Sequence, residues 1–345
     1  MKAKNRPVVR GVLEALYVAT CFLAYYSGIY SLSSFLQRKK PVVLLYHSVN
    51  RKNCRDVYPD NIVDVRDFDK QMSFLSSKKN CVTLDYLVSY LEGSSKASPN
   101  QVAVTFDDGY HDFFTNAYPI LKKYNIPCTV FLITGLLDEN IIKWEDRLAR
   151  IVSNTIGPAL SFKLDGTDRT YDLSTATARL CCLRSLNDLF LDIDPQRRIR
   201  ILSELEFQLG TPPPPAEPLY LSWKEVKELH DDGLVSFGSH THDHVDMCVM
   251  SEHDIEREVE QPREEIEAKL NSSCTLFSYP YGKRRHISER VKDLLDAHGY
   301  RLAVTTVPGR ISENSDPMEL KRIVALDGQM LKFKCAMVGL TPQTS

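Results

Sequence analysis

Two adjacent aspartates and two histidines four residues apart could together bind a metal ion and activate water. Asp107 and Asp108 follow an apolar run, residues 102–106, which predicts a buried strand. His240 and His244 follow a second such run. Side chains alternate along a strand, so one carboxylate can bind a cation while the other acts as a base. Three protein ligands leave positions open on the ion, which is typical of a catalytic metal.

Neither motif is decisive by itself. Asp107-Asp108-Gly109 also suits a tight turn, and a histidine pair often lies on a surface with no ligand. His242, between the two histidines, is expected to point away from the site. A metal site therefore requires that both segments follow neighbouring strands.

A Pro-Tyr-Gly turn, residues 280–282, follows a third apolar run. Proline fixes the turn, Gly282 permits close approach of another backbone, and the backbone amide of Tyr281 could face an oxyanion. Alone the turn indicates little, but beside a metal and a base it would complete the parts of a hydrolase.

The elements that position these residues are strands alternating with helices, which predicts a mostly parallel sheet. Polar residues follow about seven strands at their carboxyl ends, and this favours a distorted (β/α) barrel, in which those ends share one face. A doubly wound open sheet is the alternative. No GxGxxG or Walker loop is present, so no nucleotide is expected. The predicted strands are 41–46, 102–106, 127–133, 234–237, 274–277, 302–306 and 322–326.

Residues 144–219 interrupt the alternation of strands and helices. Weak helical segments mixed with charge, and four consecutive prolines at 212–215, indicate an inserted helical subdomain or lid. The insertion lies within a domain predicted to span residues 38–345.

The amino-terminal segment predicts a basic tail, residues 1–10, and a transmembrane anchor, residues 11–31. The anchor is apolar except for Glu14, and about 20 such residues can span a bilayer. Basic residues lie on both sides, but four of them precede it, which favours a cytoplasmic amino terminus and an extracytoplasmic catalytic domain. A buried or amphipathic helix is the alternative.

Composition limits the partners of the 345-residue chain. Its formal net charge is −2 and its pI is about 6.5, which argues against a nucleic acid partner. Nine cysteines without a CxxC pair argue against a full disulfide framework.

Three segments, residues 105–110, 240–244 and 277–282, resemble in order and spacing the motifs of the polysaccharide deacetylases of carbohydrate esterase family 4, which carry the NodB-type homology domain. The resemblance covers roughly residues 41–340, apart from much of the insertion. It implies a (β/α) barrel and removal of N-acetyl groups from the amino sugars of a polysaccharide.

The resemblance also implies roles for individual residues. Asp107 would be the general base. Asp108, His240 and His244 would hold a divalent metal ion, with zinc the expected one. The metal and the amide of Tyr281 would stabilise the tetrahedral oxyanion.

Two departures from the family pattern leave alternatives open. Ser278 stands where the family has an arginine that orients the base, and no Leu-x-His motif supplies a general acid near the carboxyl terminus. Among the histidines after the second motif, His286, in a loop after Arg284 and Arg285, is a candidate for the acid, whereas His298, at a helix end before Gly299, is expected to be structural. The acid is therefore left unassigned. The exopolysaccharide-type branch, with Tyr-Pro-Tyr-Gly, has similar features. The alternatives are a non-catalytic carbohydrate-binding relative, or a deacylase of a lipid-linked or O-acetylated sugar.

Overall fold

The computed structural model describes residues 6–52, 54–96, 98–139, 141–325, 328 and 330–340. Its helices are α1 Arg6–Tyr26, α2 Ile29–Leu36, α3 Val65–Lys78, α4 Leu84–Leu91, α5 Tyr118–Tyr124, α6 Trp144–Asn154, α7 Ala176–Leu191, α8 Pro195–Leu209, α9 Trp223–Asp231, α10 Glu252–Leu270, α11 Glu289–Ala297 and α12 Met330–Met337. Its strands are β1 Val42–Tyr46, β2 Ser48–Asn50, β3 Ile62–Asp64, β4 Asn80–Cys81, β5 Gln101–Phe106, β6 Cys128–Leu132, β7 Ala159–Leu164, β8 Thr167–Asp172, β9 Val235–Ser239, β10 Leu276–Ser278, β11 Leu302–Pro308 and β12 Leu320–Val324.

Seven parallel strands close into a barrel. Their order is β1, β12, β11, β10, β9, β6 and β5, and β5 pairs back with β1. The short strand β4 pairs outside this ring with β5. The predicted (β/α) barrel is confirmed, and each of the seven predicted strands corresponds to one strand of the ring.

Side chains alternate between two cores along the barrel strands. In β5, Val104 and Phe106 pack in a cluster that includes residues of α3, α5 and α10, outside the ring. Ala103 packs in a second cluster, which combines residues of six of the strands, inside the ring, with residues of α4. Continuing this alternation, Thr105 and Asp107 belong to the inner series. The side chain of Asp107, at the carboxyl edge of the barrel, is therefore expected to point inward.

Capping residues set the ends of the helices that flank the site. Ser222 and Glu225 form the predicted capping box at the start of α9. Gly233, with φ +79°, follows the end of that helix in the left-handed conformation that glycine tolerates best. Ser251 caps α10 by accepting the N–H of Asp254. These boundaries leave residues 235–239 to form β9.

One compact unit comprises the described residues of 141–219 and 51–62, together with residues 6–16. It contains α6, α7, α8 and the antiparallel hairpin of β7 and β8. Arg150 pairs with Asp56, and Asp146 accepts the N–H of Tyr58 at 2.8 Å, so the 51–62 segment is tied to α6. Neither the hairpin nor the 51–62 segment was expected from sequence.

The amino-terminal apolar segment is divided between two helices. The first, α1, ends at Tyr26, and Gly28, with φ +83°, precedes α2. Among the residues that the structure describes, no helix is both long enough and apolar enough to traverse a bilayer. The transmembrane anchor predicted over residues 11–31 therefore has no support in the structure.

Candidate metal and catalytic site

The sequence-predicted site residues lie together at the carboxyl ends of three strands on one side of the ring. Asp107 and Asp108 follow β5, His240 follows β9, and Tyr281 lies in the turn after β10. The strands β5, β6, β9 and β10 are consecutive in the ring, so their ends share one edge. The parallel arrangement thus converges groups that are far apart in the sequence.

Asp108, His240 and His244 form a buried group suited to one metal ion. Asp108 Oδ1 lies 3.5 Å from His240 Nε2 and 3.6 Å from His244 Nε2, and one ligand atom from each residue lies within 4.8 Å of the others. Donors bonded at about 2.1 Å to one tetrahedral ion would be about 3.4 Å apart. The spacing and the two-imidazole, one-carboxylate composition therefore fit a zinc-like divalent ion.

The histidine pair is presented by a tight loop rather than by a helix. Thr241 and His244 have φ of +66° and +53°, which is uncommon for residues other than glycine. Thr241 Oγ1 accepts the N–H of His244 at 2.9 Å. The buried carboxylate of Glu258, on α10, accepts the N–H groups of His242 and Asp243, both at 2.9 Å. These bonds hold the loop in a conformation that turns both imidazoles toward Asp108.

The tautomer of His240 follows from its second nitrogen. Nδ1 lies 2.7 Å from the carbonyl oxygen of Ser278, which can only accept, so Nδ1 carries the proton. Its Nε2 lone pair is then directed at the metal position, as in other imidazole sites held by a backbone carbonyl. The ring of His242 points elsewhere, as predicted, and Nδ1 lies 2.9 Å from Thr134 Oγ1.

Asp107 is held by an arginine that sequence analysis did not identify. Arg322, on β12, donates from Nη1 to Asp107 Oδ1 at 2.8 Å and from Nη2 to Oδ2 at 2.6 Å. Ser278 Oγ also donates to Asp107 Oδ2, at 3.1 Å, and accepts from Arg322 Nη2 at 3.0 Å. The serine at the position expected for arginine therefore belongs to a network that contains an arginine from another strand.

The electrostatic environment keeps Asp107 ionised. Burial is the largest single influence and raises the pKa of Asp107. The charge and hydrogen bonds of Arg322, together with the charges of His240 and His47, lower the pKa by more than burial raises it. The pKa of Asp107 consequently lies below its ordinary value. The carboxylate is charged at neutral pH, as a general base must be.

A signal for Arg322 is present in the sequence. It lies within an apolar strand, two residues after Leu320, whose side chain packs inside the barrel. A guanidinium on the inner face of a closed barrel is fully buried and must meet a carboxylate. Among the aspartates at the strand ends, Asp107 lies on the same inner face.

His47 lies beside Asp107 at the end of the adjacent strand. The N–H of Asp107 donates to the carbonyl of Tyr46, at 2.9 Å, so the residues that follow β1 and β5 are neighbours. The buried carboxylate of Asp112 accepts from Ser48 Oγ at 2.5 Å and fixes the chain just after His47. The half-buried residue His47 therefore lies next to Asp107, and it is a candidate for the acid that the sequence analysis left unassigned.

The Pro-Tyr-Gly turn is constrained by β11. Thr306 Oγ1 donates to the carbonyl of Tyr281 at 2.8 Å, and a Cβ at Gly282 would lie 2.6 Å from the Thr306 nitrogen. Tyr281 and Gly282 have φ of +61° and +58°. The Tyr281 ring lies 5.0 Å from the His244 ring, between centroids. Backbone in this uncommon conformation persists only where surrounding structure enforces it, and it concentrates at functional sites.

His286, the candidate that the sequence offered for the acid, lies elsewhere. Its buried ring meets the Tyr281 ring edge-on, with 5.4 Å between centroids, and Arg285 Nε donates to its Nε2 at 2.9 Å. Burial, the largest influence, lowers the pKa of His286. His286 supports the turn rather than the edge where Asp107 lies.

Comparisons with known proteins agree on one family. A family model described as polysaccharide deacetylase matches residues 94–164 and 189–303, more than half of the chain. YxkH of Bacillus subtilis, named as a candidate polysaccharide deacetylase, is 21% identical over 295 residues, which cover 84% of this chain and 74% of that protein. A poly-β-1,6-N-acetyl-D-glucosamine N-deacetylase of Staphylococcus aureus is 40% identical over 73 residues, or 21% of this chain and 25% of that enzyme.

A solved structure shares the fold. The Streptococcus pyogenes deacetylase PplD, determined in complex with acetate, has a TM-score of 0.57 and 20% sequence identity to this chain. The alignment covers 88% of this chain and 99% of PplD. At this level of identity the likeness concerns the architecture of the barrel.

Proposed function

Because the chain belongs to the polysaccharide deacetylase family, we propose that it is a metal-dependent hydrolase that removes N-acetyl groups from the amino sugars of a polysaccharide. One arrangement carries the proposal. Asp107 Oδ2 lies 3.9 Å from His240 Nε2, so a charged base borders the buried group formed with Asp108 and His244. A base that touches the metal position is what amide hydrolysis by activated water requires.

Asp108, His240 and His244 would hold the divalent ion, and zinc suits this donor set best. The ion, when bound, supplies a Lewis acid that polarises the amide carbonyl and lowers the pKa of water. Asp107 accepts the proton of the attacking water, and Arg322 keeps this carboxylate oriented. The backbone amide of Tyr281, in its constrained turn, donates to the oxygen on which negative charge develops.

We assign the general acid to His47. It lies at the end of β1, beside Asp107 at the end of β5, and an imidazole can donate a proton to the leaving amine at neutral pH. An acid and a base on adjacent strands can face the two sides of one scissile bond. The products are acetate and a free amino sugar.

The substrate that we propose is a polymer of N-acetylglucosamine. The Staphylococcus aureus relative is named for poly-β-1,6-N-acetyl-D-glucosamine, which makes β-1,6-linked oligomers the first substrate to test. An extracytoplasmic, membrane-bound location of the catalytic domain stays a prediction.

The position of Arg322 removes the main argument for a non-catalytic carbohydrate-binding protein. That argument arose because Ser278 replaces the expected arginine, yet Arg322 occupies an equivalent chemical position beside Asp107. No observation specifically favours a lipid-linked or O-acetylated sugar, although the same site could attack an ester.

The test is release of amine and of acetate from acetylated oligomers by the purified full chain, before and after chelation and after readdition of Zn²⁺. We expect activity to disappear with chelation and to return with the metal. Asp107→Asn should be inactive while retaining metal. His240→Ala should be inactive and should lose the metal as well. His253→Ala, which alters an exposed histidine outside the site, is its matched control and should keep both. Metal bound without amine release from any oligomer would refute the proposal, and faster acetate release from esters would redirect it to O-acetylated sugars.

A further inference from the structure

Helices α1 and α2 expose an apolar surface. Of the fifteen large apolar side chains that are exposed in the described part of the chain, eight lie between residues 22 and 36. Their concentration in one short segment distinguishes them from the single exposed apolar residues found on most surfaces. We call them the amino-terminal apolar face: Phe22, Leu23, Tyr25, Tyr26, Ile29, Leu32, Phe35 and Leu36.

The opposite side of the two helices is fixed to the domain. Cys21 and Ala24 are buried. Ser33 Oγ and Gln37 Nε2 both donate to the carbonyl of Val338, just after α12, at 2.9 and 3.0 Å. The helices are therefore held in place by one side, and the amino-terminal apolar face is directed outward.

The charges next to this face are positive. The sequence from residue 16 to residue 40 contains no aspartate or glutamate and ends in Arg38, Lys39 and Lys40. Both lysines are exposed, and the guanidinium of Arg38 lies 3.9 Å from the centroid of the Phe35 ring. Apolar and aromatic side chains beside cations are typical of elements that lie in the headgroup region of a membrane.

We propose that the amino-terminal apolar face docks on an anionic lipid surface, with α1 and α2 lying along the interface. Leu23, Leu32 and Phe35 would enter the acyl boundary, and Lys39 and Lys40 would contact the headgroups. A second copy of the chain is a poorer partner, because a symmetric contact would bring the same cations together. The charges complement an anionic lipid surface.

The test uses the full chain and sedimentation with vesicles of phosphatidylcholine alone or mixed with phosphatidylglycerol. We expect binding to the anionic vesicles, weakened about tenfold by Leu23→Glu and similarly by Phe35→Glu. Lys39→Gln and Lys40→Gln should each weaken binding to the anionic vesicles about fivefold. Added salt should weaken binding of the parent chain in the same way, because it screens the attraction between the lysines and the headgroups. Phe207→Glu alters an apolar side chain that is 89% exposed outside this face and should leave binding unchanged.

A second measurement follows the contact directly. Tyr26→Trp places an indole on the face, at a position 77% exposed, and its fluorescence should shift to the blue when anionic vesicles are added. Circular dichroism and deacetylation of a soluble oligomer should be unchanged in every variant. The proposal is overturned if Leu23→Glu binds the vesicles as tightly as the parent chain. It is also overturned if light scattering shows a lipid-free dimer that Leu23→Glu disperses.

Discussion

Replacing Arg322 by methionine removes the cation that neutralises Asp107 inside the barrel. The arginine is fully buried, and beyond the two bonds to Asp107 its Nε donates to the carbonyl of Thr305 at 2.8 Å. Its Nη1 also donates to Thr105 Oγ1 at 3.1 Å. Methionine fills a similar volume and makes none of these bonds, so a buried carboxylate is left without its counter-ion.

The expected cost is large. Removing one partner of a buried, hydrogen-bonded ion pair lowers the free energy of unfolding by about 3–5 kcal/mol. The folded-state pKa of Asp107 is lowered, so the stabilisation by the pair is present at neutral pH and is lost as the pH falls through that pKa. The stability difference between the parent and Arg322→Met should therefore shrink in acid.

Measurements of activity test whether Arg322 positions Asp107, separately from its effect on stability. Without the guanidinium, burial raises the pKa of Asp107 unopposed by its strongest counter-influence. The acidic limb of the kcat/KM profile should move to higher pH in Arg322→Met, and kcat should fall even under conditions where the variant is folded. Arg322→Lys restores a charge without the two-pronged geometry and should recover stability better than turnover.

The control is Arg301→Met, which breaks an exposed ion pair with Glu92. Its effect on unfolding should be below about 1 kcal/mol. The reasoning is refuted if Arg322→Met unfolds like the Arg301→Met control, or if its acidic limb coincides with that of the parent enzyme. Urea denaturation at two pH values and steady-state amine release measure both quantities.

Three further outcomes follow from the site. Asp107→Asn should retain metal by elemental analysis and lose about 10²–10⁴ in kcat, whereas His240→Ala should lose the metal as well. Glu258→Gln, which weakens the acceptor of two N–H groups in the histidine loop, should reduce metal affinity about 10–100-fold, measured by competition with a chelator. His47→Gln should keep the metal, lower kcat by a factor of about 10²–10⁴ and abolish the alkaline limb of the pH profile.

Each outcome has a contrary result. Metal retained by His240→Ala, or lost from Asp107→Asn, would show that ligand and base are wrongly assigned. Unchanged affinity in Glu258→Gln would mean that the loop keeps its shape without that carboxylate. An alkaline limb that survives in His47→Gln would place the acid on another residue.

The barrel was predictable because its strands are short apolar runs bounded by turn residues. The strand before Asp107 is buried at every position, as expected for a strand covered on both faces. Convergence of Asp108 with His240 and His244 also followed from the sequence, since parallel strands bring their carboxyl ends to one edge. These inferences need only local patterns and the general geometry of parallel sheets.

Other features depend on which strands become neighbours. Arg322 and Asp107 are 215 residues apart, and their contact exists only because the ring closes with β12 beside β1. The hairpin of β7 and β8 was missed because every second residue of β7 is exposed and β8 is polar throughout. Its pairing is decided by packing within its own unit rather than by a continuous apolar run.

Arg322 lies in β12, the last strand of the ring along the sequence, so the proposed catalytic site is complete only when this strand has joined the barrel. During synthesis the aspartate emerges long before the arginine that compensates its charge. Until β12 lies between β1 and β11, burial of the Asp107 carboxylate has no counter-ion to offset its desolvation, and the two hydrogen bonds that orient it are missing. Turnover by the proposed mechanism therefore requires β12 to be in place between β1 and β11, because only then does Arg322 hold Asp107.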